Sequence, residues 1–342
     1  MDIVWAIFLI LIGFVFLVKG ADWFVDGAAG IAAKMHVPQL IIGLTIVSFG
    51  TSAPELATSI ISSVQGSSDI AVGNVVGSNI TNILLILGLA AIICPLSVQK
   101  STRKIDIPML LGASVLLLLL GAFDNAIGRV DGWIMFILSL AYMGFLIWYA
   151  VQESKKQSAI ADLEDHALAE EKEVKEEKAK KGFSAWFERM KEHTWFLITI
   201  TLVGLALVVV GALYGVIPGA TTIAEKLGVS EKIIGLTIVA IGTSLPELVT
   251  CVIAAKKGET DIAVGDIVGS NIFNILRTLG LSAMILPLSF ANSFVVDGCI
   301  ALGAAVLLAV FGYIKGNKVR RWSGIVMLCG FVAYYVYLFA AS

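Results

Sequence analysis

Two glutamates are the chemically demanding residues of this sequence. Glu55 and Glu247 each follow a proline directly and lie about half way along an apolar run. Hydroxyls precede each of them: Thr51 and Ser52 in one case, Thr243 and Ser244 in the other. Further on, Ser78 and Asn82 stand four residues apart, as do Ser270 and Asn274, so each pair shares one helix face. Carboxylate, hydroxyl and amide oxygens with no Cys or His nearby make a hard-oxygen set. Such a set suits Ca²⁺, which takes about 6–8 oxygens, and also Na⁺. Ionised carboxylates in an apolar span are costly and mark function. Arg277 is the one basic residue in the interior of an expected span and cannot neutralise both, so cations or protons must.

These residues sit in a duplication. Residues 43–82 and 235–274 align at an offset of 192 without a gap, and 25 of the 40 pairs are identical. Both copies contain GTSxPE followed by GSNxxN. Pro54 and Pro246 lack a backbone N–H and obstruct the carbonyl four residues earlier, at Gly50 and Gly242. The helix is therefore expected to open there, freeing carbonyls near Ser48 and Phe49 and near Ala240 and Ile241. In hydrocarbon such backbone must face protein, water or an ion.

The elements that carry the motifs are membrane helices. The chain is 58% hydrophobic and 15% charged, with a mean hydropathy of +0.92, more apolar than a soluble surface allows. A net charge of -2 gives no sign of nucleic-acid binding. The cysteines Cys94, Cys251, Cys299 and Cys329 read as small residues of apolar segments, and His36, His166 and His193 have no metal-ligand spacing. Ten spans are expected, at about 3–19, 38–62, 69–94, 105–123, 131–151, 194–213, 231–255, 261–288, 294–314 and 321–340. The first replaces a cleaved signal peptide, for which it lacks the basic flank. Residues 152–193 differ: charges of both signs alternate at helical spacing, as in a solvated linker. The division is thus 1–151, a linker at 152–193, and 194–342.

With ten spans, one side of the membrane receives 20 Lys and Arg and the other three. The basic side, which includes the linker, is cytoplasmic, and both termini face outward. Five spans separate the copies, so the second is upside down. The fold expected is all-α: ten transmembrane helices as two inverted five-helix repeats with broken helices at the midplane, an arrangement of secondary transporters. The first and sixth spans, without midplane polar residues, are expected to slide as a gating pair.

Other polar residues have simpler readings. Asp69 and Asp261 read as helix N-caps. Asn74 and Asp266 could face the pathway, but near the cytoplasmic end. The GxxxG glycines Gly73, Gly77, Gly265 and Gly269 read as packing residues.

The paired GTSxPE and GSNxxN motifs resemble the α-repeats of the cation/calcium antiporter superfamily, in particular prokaryotic-type sodium/calcium exchangers. The likeness covers both halves and leaves out the linker. It implies that Glu55 and Glu247 are the central carboxylates shared by Ca²⁺ and Na⁺. Thr51, Ser52, Ser78, Asn82, Thr243, Ser244 and Ser270 match side-chain ligands, and Ser48 and Ala240 match backbone oxygen donors. Asn274 stands where some members carry Asp, which argues against potassium co-transport. The resemblance implies exchange of Na⁺ for Ca²⁺ by alternating access. Proton/calcium exchange on the same architecture stays open, since the Ser and Asn ligands fit either counter-ion. A passive channel would not need sealed carboxylates. An intramembrane enzyme is not expected: there is no HExxH, and no His stands beside Ser52 or Ser244. No cofactor is expected beyond the transported ions. The chain is expected to work as a monomer in a prokaryotic plasma membrane.

Overall fold

A computed structural model describes residues 3–34, 43–64, 66, 68–167, 193–216, 218–219, 222, 226, 237, 240–314 and 316–341. The start of the second and seventh expected spans and residues 168–192 of the linker lie outside these. The first half begins with a long helix, α1 (Ile3–Lys34), well beyond the expected end at 19. A π-helical segment, Gly43–Val47, leads into α2 (Ser48–Thr51) and α3 (Ala53–Val64). Next come α4 (Ser68–Ile80), a π-helical turn at Thr81–Leu87 and α5 (Gly88–Ile93). Strand β1 (Leu96–Ser97), α6 (Ile107–Asp124), β2 (Ala126–Ile127) and α7 (Arg129–Ala167) complete it. Helix α7 runs unbroken past the expected boundary at 151.

The second half repeats the pattern: α8 (Thr194–Val210), α9 (Ala240–Thr243), α10 (Leu245–Lys257), α11 (Thr260–Phe273), α12 (Gly280–Ile285), β3 (Leu288–Ser289), α13 (Asn292–Tyr313), β4 (Lys318–Val319) and α14 (Arg321–Ala341). Among the described residues seven helices are long and apolar enough to cross a membrane, and the pair Gly43–Thr51 and Ala53–Val64, bent by 49°, makes an eighth. The polarity is inside out. Ile, Leu, Val and Trp cover the exterior of α1, α7 and α14, while Ser48, Thr51, Glu55, Asn74 and Asn274 are buried.

Two small sheets prove the inversion. Leu96 of β1 pairs with Val319 of β4, and Ile127 of β2 pairs with Leu288 of β3. At an offset of 192 the first pairing becomes the second, so a twofold relates the halves. β1 and β2 are separated by one span, α6, and so lie on opposite membrane faces. A twofold that exchanges them must lie in the membrane plane, as in inverted-repeat transporters. The same offset links the two left-handed asparagines, Asn125 (φ 57) and Asn317 (φ 50). It also links the turn glycines Gly66 (φ 81) and Gly258 (φ 82), where a side chain would be strained.

The expected capping roles are corrected. Asp69 and Asp261 fall inside the first turns of α4 and α11, after Ser68 and Thr260 have begun them. Asp261 instead accepts a 2.5 Å hydrogen bond from Gln99. Gly269 keeps its packing role, since a Cβ there would lie 3.0 Å from the Leu44 carbonyl.

Candidate ion-binding site

The site is built on the two breaks. Ser52 (φ -79, ψ 7) separates α2 from α3, and Ser244 (φ -82, ψ 5) separates α9 from α10. The break therefore falls two residues after Gly50 and Gly242, not on them. The reason is local. Proline withholds its N–H from the carbonyl four residues back, but the turn before that keeps its bonds. Ser52 N–H donates to the Ser48 carbonyl and Ser244 N–H to that of Ala240, both at 3.1 Å. These two carbonyls are not freed as expected; each keeps a second lone pair. Thr243 Oγ1 at 3.2 Å and Ser78 Oγ at 3.4 Å also lie within reach of Ala240 O, although the closer acceptor of Thr243 is Asn74 Oδ1 at 3.0 Å. Gly50 has another use: a Cβ there would lie 2.8 Å from Leu205 of α8.

Glu55 and Glu247 are fully buried in the first turns of their helices. Each is held by the opposite half. Ser244 Oγ donates to Glu55 Oε1 at 3.1 Å, and Ser52 Oγ donates to Glu247 Oε1 at 3.0 Å. Ser270 Oγ approaches Glu247 Oε1 at 3.4 Å. The other oxygen, Oε2, has no hydrogen-bond partner in either glutamate among the described residues. A buried acceptor left bare costs about 1–3 kcal/mol, more when charged. Two such oxygens at symmetry-related positions call for a ligand.

The amides behave alike. Asn82 and Asn274 are fully buried, yet Asn82 Oδ1 and both polar atoms of Asn274 lack partners among the described residues. Asn82 is aimed by its nitrogen, which donates to Asn271 Oδ1 at 3.0 Å. Asn79 and Asn271 clasp each other across the twofold, side-chain nitrogen to main-chain carbonyl, at 3.2 and 3.4 Å. Sequence reasoning overlooked this pair, although both are identical in the two GSN motifs. Asn271→Ala strands the Asn82 nitrogen, so a loss of about 1–3 kcal/mol is expected. Thermal unfolding of the purified protein checks this.

The remaining residues form a network between the halves. Thr51 Oγ1 donates to Asp266 Oδ1, and Thr243 Oγ1 to Asn74 Oδ1, both at 3.0 Å. Asn74 and Asp266 thus touch the hydroxyls of the breaks instead of lying toward the cytoplasmic end. Ser48 Oγ donates to the Gly43 carbonyl at 2.5 Å and lies 3.1 Å from that of Asp266. Ser78 Oγ lies 3.5 Å from Thr243 Oγ1. Arg277 stands apart from this network. Its guanidinium sits 4.9 Å from the Phe49 ring centre and 5.0 Å from that of Phe273, a cation–π stack on both.

Taken together, two bare carboxylate oxygens and bare amide oxygens, with hydroxyls on both breaks, can coordinate a hard cation. Comparison with known proteins agrees. The family model described as sodium/calcium exchanger protein matches residues 5–148 and 196–340, passing over the linker. The putative antiporter CaxA of Alkalimonas amylolytica is 36% identical, covering 97% of this chain and 98% of its own. The sodium/calcium exchanger MaX1 of Methanosarcina acetivorans is also 36% identical, covering 97% of both. The inner membrane protein YrbG of Escherichia coli is 34% identical over 98% of this chain and 97% of its own. The solved sodium-calcium exchanger NCX_Mj, soaked with Na⁺ and Sr²⁺, superposes with a TM-score of 0.77 at 30% identity, over 98% of this chain and 99% of that one. With both halves matched, the chain belongs to the sodium/calcium exchanger protein family and is a multi-pass membrane antiporter of the cation/calcium class.

Proposed function

We propose that the chain exchanges Na⁺ for Ca²⁺ across the membrane, with both ions competing for Glu55 and Glu247. One observation carries the reading: both buried glutamates keep one oxygen bare, and the hydroxyl on the other oxygen comes from the opposite half. Thr51, Ser52, Ser78, Asn82, Thr243, Ser244, Ser270 and Asn274 supply further oxygens, and Ser48 and Ala240 offer the second lone pair of their carbonyls. A site stitched from both halves changes when either half moves. Occupancy by one ion then favours release of the other. The ion-free site, with two uncompensated charges in a low-dielectric interior, crosses reluctantly, which enforces exchange over leak. The basic-residue count favours termini outside and the linker in the cytoplasm, and the reading takes the membrane as a prokaryotic inner membrane and the working unit as a monomer. MaX1 is named a sodium/calcium exchanger, and NCX_Mj a sodium-calcium exchanger, which supports the choice of ions.

The test is Ca²⁺ uptake into proteoliposomes loaded with Na⁺ and diluted into choline at equal pH on both sides. Uptake that requires internal Na⁺ is expected. Uptake that ignores Na⁺ and follows an imposed proton gradient would overturn the Na⁺ assignment and make the two glutamates proton carriers.

A further inference from the structure

A third acidic side chain belongs to this network. Asp266, on α11, is 1% exposed, and its partners are hydroxyls. Oδ1 accepts from Thr51 at 3.0 Å and Oδ2 from Thr250 at 2.9 Å. Ser270 Oγ stands 3.4 Å from Asp266 Oδ1 and 3.4 Å from Glu247 Oε1, so one hydroxyl lies between the two acids and can donate to either. The three carboxylates do not gather round one point, since no metal-ligating trio of His, Cys, Asp or Glu occurs among the described residues. Asp266 therefore acts on the ion from beside it, across Ser270 and Thr51.

The duplication supplies an internal comparison. Its counterpart is Asn74, whose Oδ1 accepts from Thr243 at 3.0 Å, just as Asp266 accepts from Thr51. Both residues take up the proton of a threonine in the opposite half and turn its lone pairs away from themselves. An amide suffices for that task in the first half. The surroundings are adapted to the difference. The Asn74 nitrogen donates to Ser59 Oγ at 3.0 Å and to the Glu55 carbonyl at 3.3 Å. The position matching Ser59 is Cys251, a weak acceptor, whose thiol points to the Ala263 carbonyl at 3.8 Å. Thr250, which matches Thr58 of the first half, brings its hydroxyl within 2.9 Å of Asp266 Oδ2 and 2.8 Å of the Pro246 carbonyl, so the change from Ser59 to Cys251 is what distinguishes the two surroundings. The second half is thus built for a group that only accepts, which is a carboxylate.

We propose that Asp266 is a specificity-determining residue of the ion site: its negative charge, held beside the two glutamates, sets the preference for a divalent over a monovalent cation. The inference rests on the reading of Glu55 and Glu247 given above. The physical ground is that Coulomb energy scales with ion charge at a fixed distance. Asp266→Asn keeps the acceptor that Thr51 needs, as Asn74 demonstrates, and removes the charge, while the Thr250 hydroxyl that faced Oδ2 has the Pro246 carbonyl at 2.8 Å to turn to. On a logarithmic scale, the affinity loss for Ca²⁺ should be twice that for one Na⁺.

The experiment measures Na⁺-driven Ca²⁺ uptake in proteoliposomes and Ca²⁺ binding to the purified full chain, for wild type, D266N, the N74D/D266N swap and E55Q. In D266N the half-saturating Ca²⁺ is expected to rise about tenfold and the half-saturating Na⁺ about threefold, in the proportion the charges dictate. The swap returns the charge to the other side of the twofold and should bring Ca²⁺ back to within about threefold of wild type. Half-saturation unchanged in D266N while E55Q abolishes binding would overturn the role of Asp266 and leave the exchanger reading intact. A rise in D266N that the swap does not reverse, or equal rises for both ions, would reduce Asp266 to local packing. Should the swap fail to accumulate in the membrane, the ratio of the two shifts in D266N decides alone. Wild type that neither binds nor takes up Ca²⁺ would sink the reading of the site itself, and with it this proposal.

Discussion

Glu247→Gln is expected to abolish Na⁺-driven Ca²⁺ uptake, with a fall of at least about a hundredfold, while the protein still reaches the membrane. The substitution is nearly isosteric. Ser52, which donates to Oε1 at 3.0 Å, finds the amide oxygen in the same place. What disappears is the charge, and with it the bare Oε2 acceptor. A cation stripped of water needs that charge; leaving one partner of a buried ion pair uncompensated costs about 3–5 kcal/mol, or about a hundredfold to several thousandfold in affinity. Glu55→Gln should behave alike, because Ser244 plays the same part at 3.1 Å. A second readout separates lost binding from lost folding. Without ions a buried unpaired carboxylate is a burden, so the ion-free variant should melt no lower than wild type. Added Ca²⁺ should raise the melting temperature of wild type and leave the variant where it is. Flux retained in either variant would refute the assignment.

Much of this site was legible because it is written twice. An isolated Glu in an apolar run could be a mistake of reading; the same Glu after a proline at an offset of 192 could not. The repeat also carried the inversion, through the odd number of spans between the copies, and the paired sheets β1·β4 and β2·β3 agree with it. Besides the Asn79–Asn271 clasp and the capping roles, three things escaped. The break falls on Ser52 and Ser244 because proline releases the carbonyl four residues back and no earlier one, a register that composition does not reveal. Asp266 and Asn74 were placed by distance along their helix, although α4 and α11 cross α9 and α2 near that level, where their side chains meet Thr243 and Thr51. The buried Asp106–Tyr142 and Asp297–Tyr334 pairs, at 2.9 and 3.2 Å, were hidden because the aspartates are offset by 191 and the tyrosines by 192. A single-residue shift is enough to defeat an ungapped comparison.

The first helices repeat too, at a different offset, and their packing leads to the second large effect. Gly20 and Gly204, then Gly27 and Gly211, are each 184 apart; Gly20 and Gly204 face one another at the α1–α8 crossing, while Gly27 lies against Leu197 and Thr201 and Gly211 against Gly13. A Cβ on Gly20 would lie 2.6 Å from the Gly204 carbonyl, and one on Gly204 would lie 2.6 Å from that of Gly20. Backbone meets backbone at this point, while Leu17 packs with Val208 on one side of it and Ile31 with Leu197 and Ile200 on the other. Such a crossing suits the gating role expected for these two helices: small residues permit close approach at its centre. Gly20→Ala and Gly204→Ala must push the helices apart, at about 1–3 kcal/mol each. Because α2 leans on α8 through Gly50 against Leu205, the displacement reaches the break at Ser52. Uptake should fall at least about fivefold in each variant, by the lower half of that energy range. The control is built into the same molecule. A Cβ on Gly112 of α6 or Gly144 of α7 meets nothing within 4 Å, so alanine there should leave uptake within about twofold. Equal losses at all four glycines would mean that helix flexibility, not the crossing, limits transport. Full activity in Gly20→Ala and Gly204→Ala would mean that the two helices need not touch this closely to move.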